Sequence, residues 1–291
     1  MGRRSNQELK ATAEVWSLGG FCEPHVSLML DYSFFVYQIC DDLEAETSAL
    51  STVVDSLYEE QWRAPTVAEG WDSHETILHL GSTDLLCRLA VTDPRTFAVM
   101  RERLANGEVS AHGLGGPEVQ TMTGRQLWEW FLNGRMEMIE GLRNSDPKAR
   151  IIWLGPDISA RSLATSRLLE TWTHSHDLAD TFDCEYPQTD RLRHIAHIGV
   201  VTREFSYLNR GLSPPIQPMR VELTSPSGEQ WVWGSVDAAD RVTSTAYEFC
   251  KVITRRVPVQ ESAVRTEGEL AAEWMEIAQP WIEPPRISDK A

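Results

Sequence analysis

Lysine is scarce in this chain: Lys10, Lys148, Lys251 and Lys290 are the only four in 291 residues, and the other basic residues are arginine. That bias is the usual mark of a GC-rich genome. Basic charge as a whole is in deficit, with 27 Lys plus Arg against 43 Asp plus Glu and a formal charge of −16. A surface of that sign repels phosphate backbones and anionic headgroups, which excludes nucleic-acid binding and membrane-surface attachment as expected roles. Long apolar runs are also missing. Nothing approaches the ~20 apolar residues of a spanning helix, and the early run Met29–Tyr37 is broken by Asp31. The opening MGRRSNQELK has two arginines but no apolar core behind them, so it does not read as a secretory signal. The five cysteines (Cys22, Cys40, Cys87, Cys184, Cys250) include no CxxC. Neither a disulfide scaffold nor a zinc ribbon is expected, and the reducing cytoplasm is the expected compartment. There is no GxSxG. The glycines of Gly113–Pro117 lack the Lys-Ser/Thr of a phosphate loop.

What is present is helical periodicity, then a change of character. Residues 1–37 show no sustained period and read as a mobile extension, with a second start codon conceivable at Met29. From Ile39, the spacing of Cys40, Leu43, Leu50, Val53, Val54 and Leu57 predicts an amphipathic helix. The segment Trp62–Trp71 (WRAPTVAEGW) reads as a loop. Further helices are expected over about Ser73–Ala90, Thr123–Arg143 and Ser159–Phe182, with a short one opened by Asp93-Pro94. Four long helices over residues 38–185 imply a four-helix bundle. Beyond Tyr186-Pro187, Asp190–Leu208 reads as a helix. Met219–Thr224 and Gln230–Gly234 alternate as strands about the turn SPSGE, and Asp240–Thr243 is a candidate third. Thr245–Arg256 and Glu269–Ala278 read as helices. The fold class is therefore α+β: a helical bundle, a smaller α/β domain over 186–285, and a tail over 286–291.

The fourth bundle helix carries the strongest chemical signal. At ~100° per residue, Arg167, Glu170, His174, Asp177 and Thr181 share one stripe about 80° wide. Apolar residues border that row, so its charge must be compensated. Glu and His at i, i+4 can grip one ion, although such a pair in isolation is more often an ion pair or a solvated face. His176 points about 120° away and cannot join the same site. His79, within an apolar run of the second helix, is by itself more often a core residue than a ligand, and His74 lies at the exposed helix start. His194 and His197 lack a partner carboxylate and read as packing residues, and the Cys22/His25 pair reads as incidental. Trp153 and Trp172 are candidate pocket walls.

Trp62–Trp71, the DSHETILHL segment with His79, and ETWTHSHDLAD with Glu170 and His174 together resemble the DinB-like, mycothiol-dependent maleylpyruvate isomerase superfamily. GPDISARSLATSRLLETWTHSHDLADTF, DRLRHIAHIGVVTREF and AYEFCKVITRR look closer to an actinobacterial subgroup known only as metal-binding proteins. The resemblance covers about Ile39–Pro285. It implies a DinB-like bundle holding a divalent metal, usually Zn²⁺, through His79, Glu170 and His174. Asp177 and Glu75 then become outer partners. It also implies mycothiol as a thiol cosubstrate and an arginine contributed by the C-terminal domain, matched by Arg255 or Arg256.

That ligand set suits catalysis. Zn²⁺ with one carboxylate leaves a charge of +1, which favours a bound thiol as thiolate and so delivers a nucleophile at neutral pH. Arg255 or Arg256 would steady a substrate carboxylate or a developing enolate. The expected activity is isomerisation, conjugation or exchange on a small electrophile by a monomer or homodimer. The alternatives are a metal-binding protein without turnover, or a metal-dependent hydrolase using Asp177 as its base.

Overall fold

A computed structural model of the chain describes residues 31–110, 114–146, 149–155 and 157–281, with backbone alone for 31–35. Met29, the Cys22/His25 pair, Gly113 and the tail over 286–291 lie outside the described residues. The described chain divides between Glu185 and Tyr186 into two compact units.

The first unit is a bundle of four long helices: α1 (Asp31–Val54), α2 (Ser73–Thr92), α5 (Gly124–Arg143) and α6 (Ala160–Thr181). Between them lie α3 (Pro94–Ala105) and the single turn α4 (Pro117–Gln120). The segment expected to be a mobile extension is thus corrected at its end, since residues 31–37 already belong to α1. Apolar spacing sets the packing: Val36, Ile39, Cys40, Leu43, Leu50, Val53 and Val54 are buried on α1, which packs on α6, while α2 packs on α5. Local chemistry fixes where the helices begin. Asp72 caps α2, accepting from Glu75 N at 2.7 Å, and the Glu75 carboxylate accepts from Asp72 N at 3.0 Å. Thr123 and Gln126 form the same reciprocal box at α5. Ser159 caps α6, and Asp93 followed by Pro94 opens α3. A two-stranded ribbon, β1 (Arg150–Ile151) with β2 (Ile158–Ser159), leads into α6.

The start of α5 is packed too closely for any side chain at Gly124. A Cβ there would stand 2.2 Å from the Trp62 ring. Gly124→Ala is expected to destabilise by about 1–3 kcal/mol through this overpacking; an unchanged denaturant midpoint would contradict it.

The second unit holds a mixed sheet in the order β4-β3-β5-β6, from β3 (Met219–Thr224), β4 (Gln230–Trp233), β5 (Asp240–Thr245) and β6 (Arg265–Glu267). β3 and β4 form the expected antiparallel hairpin, with Val221 opposite Trp233. β5 then returns parallel to β3 on its other side, pairing Met219 with Asp240, and β6 closes antiparallel on β5. The single helix expected over Asp190–Leu208 is two, α7 (Leu192–Val201) and α8 (Arg203–Leu208), broken at Thr202. α9 (Ala246–Ile253) and α10 (Glu269–Ile277) complete the unit, with Phe249 and Trp274 in its core.

Candidate metal centre

Two bundle helices bring His79, Glu170 and His174 together. His79 Nε2 donates to Glu170 Oε2 at 3.1 Å, and His174 Nε2 lies 3.5 Å from the same oxygen. Each residue presents one ligand atom, the three lying within 4.8 Å of one another. Donors ~2.0–2.1 Å from a tetrahedral ion stand roughly 3.3 Å apart, so the two contacts to Glu170 have the spacing of a coordination shell. The His79 and Glu170 side chains are 19% and 24% exposed, so solvent reaches part of the cluster.

The neighbours orient these groups. Asp177, one turn beyond His174, accepts from His174 Nδ1 at 2.9 Å, so Nε2 is the nitrogen aimed at Glu170. This is the orienting contact that carboxylates make to metal-bound imidazoles. Trp71 stacks on His174, with centroids 5.1 Å apart and planes 14° apart, and tilts against His79 at 4.8 Å. The loop bearing Trp71 is itself tied down. Thr66 N donates to the Trp71 carbonyl at 2.8 Å, and Val67 N donates to Thr181 Oγ1 at 3.0 Å.

Protons now sit where an ion would compete for them. Burial pushes the His79 pKa down to about 4, against the hydrogen bond to Glu170, and the Arg167 charge adds to the lowering. Burial alone would lower His174 too, but the carboxylates of Asp177 and Glu170 outweigh it and raise its pKa. Burial alone would raise Glu170, yet its two histidine partners hold it well below the ordinary carboxylate range. The cluster is thus an anionic carboxylate between two imidazoles, a donor set that suits a divalent cation.

Other residues singled out in the sequence serve elsewhere. Glu75 spends its carboxylate on the α2 cap. His74 is not exposed at the helix start but buried, with Nε2 donating to the Met122 carbonyl at 3.0 Å. His176 packs edge-on against Trp172, with centroids 4.4 Å apart, and Trp153 stacks on Phe97 at 5.7 Å. His197 Nδ1 accepts from Trp233 Nε1 at 3.1 Å. Arg255 and Arg256 follow α9. Arg255 has φ +63 and donates from Nη1 to the Glu276 carbonyl at 3.0 Å, while Arg256 Nη1 donates to the Thr254 carbonyl at 2.8 Å. Burial raises the thiol pKa of Cys87 and Cys250, and that of Cys40 to about 11, which disqualifies these three as resident nucleophiles. Sequence reasoning missed Trp71 as a wall of the site; its place at the end of WRAPTVAEGW, just before the α2 cap, was the available signal.

A bundle with two histidines and a glutamate converging from facing helices defines a class of helical proteins built around a polar centre between helices. Residues 43–179 match the family described as the mycothiol maleylpyruvate isomerase N-terminal domain. An uncharacterized protein of Mycobacterium tuberculosis, found in the CDC 1551 / Oshkosh and H37Rv strains, is 38% identical over 244 residues, covering 84% of this chain and 95% of the relative. The crystal structure of the mycothiol-dependent maleylpyruvate isomerase superposes with a TM-score of 0.51 at 15% identity, covering 84% of this chain and 97% of that one. A mutant of the same enzyme gives 0.50. The chain belongs to the DinB-like, mycothiol-dependent maleylpyruvate isomerase superfamily, and its α+β architecture is that of the isomerase. Among the described residues no helix is long and apolar enough to cross a membrane.

Proposed function

We propose that this protein binds a divalent metal ion, zinc in the first instance, through His79, Glu170 and His174, and uses mycothiol or a similar small thiol to isomerise, conjugate or exchange on a small electrophile. The observation that carries the reading is the approach of two imidazole Nε2 atoms, at 3.1 and 3.5 Å, to one partly buried Glu170 oxygen. A divalent ion there would favour a thiol as its thiolate at neutral pH. The burial of Cys40, Cys87 and Cys250 supports a sulfur supplied by a ligand rather than by these side chains. Within the chain, Asp177 holds the His174 ring so that Nε2 faces the site, and Trp71 keeps water from the imidazole faces. Arg255 or Arg256 steadies negative charge on the substrate. The arginine that does so will raise KM when replaced by alanine and leave metal content unchanged.

The test is calorimetric titration of mycothiol into metal-loaded protein, with chelator-stripped protein alongside. Binding is expected in the loaded form and lost from the stripped one. No binding in either form would remove the thiol reading. A second expectation concerns Asp177. Asp177→Asn is expected to weaken metal affinity by about 10–100-fold, measured by competition with a chromophoric chelator; unchanged affinity would show that the carboxylate does not support the ligand.

A further inference from the structure

A second charged group is buried in the same bundle. Arg135 on α5 forks onto Asp84 on α2, with Nε to Oδ2 at 2.6 Å and Nη2 to Oδ1 at 3.3 Å. Its other donors reach Thr47 Oγ1 at 2.8 Å and Thr171 Oγ1 at 3.0 Å. That pair is complete by itself: one carboxylate, one guanidinium, charge balanced. Arg167 is nevertheless added to it, donating from Nε to Asp84 Oδ1 at 3.0 Å. Its side chain is 4% exposed, and its Nη2 has no hydrogen-bond partner among the described residues. Two guanidiniums share one carboxylate, so these three residues carry an excess charge of +1 in the interior of the bundle. The bundle also buries the carboxylates of Glu46 and Asp177, but the ion pair alone does not account for a buried guanidinium whose Nη2 donor is unmet among the described residues.

Position supplies the reason. Arg167 stands three residues before Glu170 on α6, ~4.5 Å along the helix axis and on the same stripe. Its positive charge is felt at His79. We infer that Arg167 is a positioning residue that sets the charge of the metal site, opposing the bare cation and favouring an anion as the ligand that completes its shell. This rests on the metal reading above and deepens it: the partner selected is an anionic donor, of which a thiolate is one. A fixed cation in a poorly screened interior repels a divalent ion and attracts the anion that follows it. The two effects have opposite signs, which a merely structural role does not produce.

The experiment uses cobalt(II) as the metal and azide as the anion, on the full chain. Metal uptake is read by calorimetry and azide binding by the visible spectrum of the cobalt-loaded protein. Arg167→Met is expected to bind cobalt on the order of tenfold more tightly and azide on the order of tenfold more weakly. Arg167→Lys, which keeps the charge, is expected to restore both values. Arg167→Gln, which can still donate to Asp84, is expected to reproduce the methionine variant and guards against a folding defect in it. If both affinities move in the same direction or neither moves, the inference is overturned while the metal site stands. If the wild-type protein takes up no cobalt, the site reading falls, and this inference with it.

Discussion

Asp84→Asn is expected to cost about 3–5 kcal/mol of stability, a large part of the ~5–15 kcal/mol that holds an ordinary domain folded. Asp84 is fully buried and is the common acceptor of the Arg135 fork and of Arg167 Nε. An amide of the same shape leaves two guanidiniums facing a neutral group, without water to replace the lost charge. The cost lies in stranding those cations rather than in losing the pair's own attraction. Replacing Asp84, Arg135 and Arg167 together by Leu, Met and Met is therefore expected to recover most of it. Urea unfolding of the three proteins checks this. A midpoint for Asp84→Asn at the wild-type value would refute the account, and so would a triple variant less stable than the single one.

The second large effect is at the ligands. Glu170→Ala removes the one anionic donor, to which both imidazoles point. The loss of metal affinity is expected to exceed the 10–100-fold typical of an outer-partner substitution, leaving the protein metal-free after dialysis; full occupancy by elemental analysis would overturn the ligand assignment. Proton competition gives this site a direction with pH. His174, raised above its ordinary 6.5 in the metal-free fold, takes a proton in competition with the ion as pH falls, so metal affinity is expected to begin weakening above that value. In the metal-free protein the two histidines act oppositely. His79 is lowered to about 4, so its contribution to stability is present above 6.5 and is lost as pH falls toward 4. His174 contributes stability below 6.5, which is lost as pH rises through its raised value. His79→Gln should therefore flatten the acid side of the stability profile; an unaltered acid limb would contradict the assignment.

The long helices were legible because their apolar spacing and their caps agree. Thr123 and Ser159 each mark a start that the structure keeps. The row on α6 was legible for the same reason: a period of 3.6 places Arg167, Glu170, His174, Asp177 and Thr181 on one face whatever surrounds them. Periodicity could not divide their labour. Arg167 turns to Asp84 and Thr181 to the Val67 amide, contacts that bridge more than 80 residues of chain. His74 went astray because a position near a helix start reads as exposed, while the turn before α5 comes from far along the chain to cover it. β1, β2 and β6, of two or three residues each, are too short to show a period of two. The β3–β4 hairpin could be read from its turn. The parallel return of β5 could not, because nothing local distinguishes the two sides of β3.

Trp71 gives the protein a built-in optical reporter. An indole stacked 5.1 Å from the His174 ring centroid is close enough for a paramagnetic ion on that imidazole to drain its excited state. Copper or cobalt added to the metal-free chain should therefore dim one of its 11 tryptophans far more than the others. The difference in emission between the wild-type chain and Trp71→Phe isolates that signal. Occupancy could then be followed in real time, without a label, through a side chain that the fold itself holds against the imidazole.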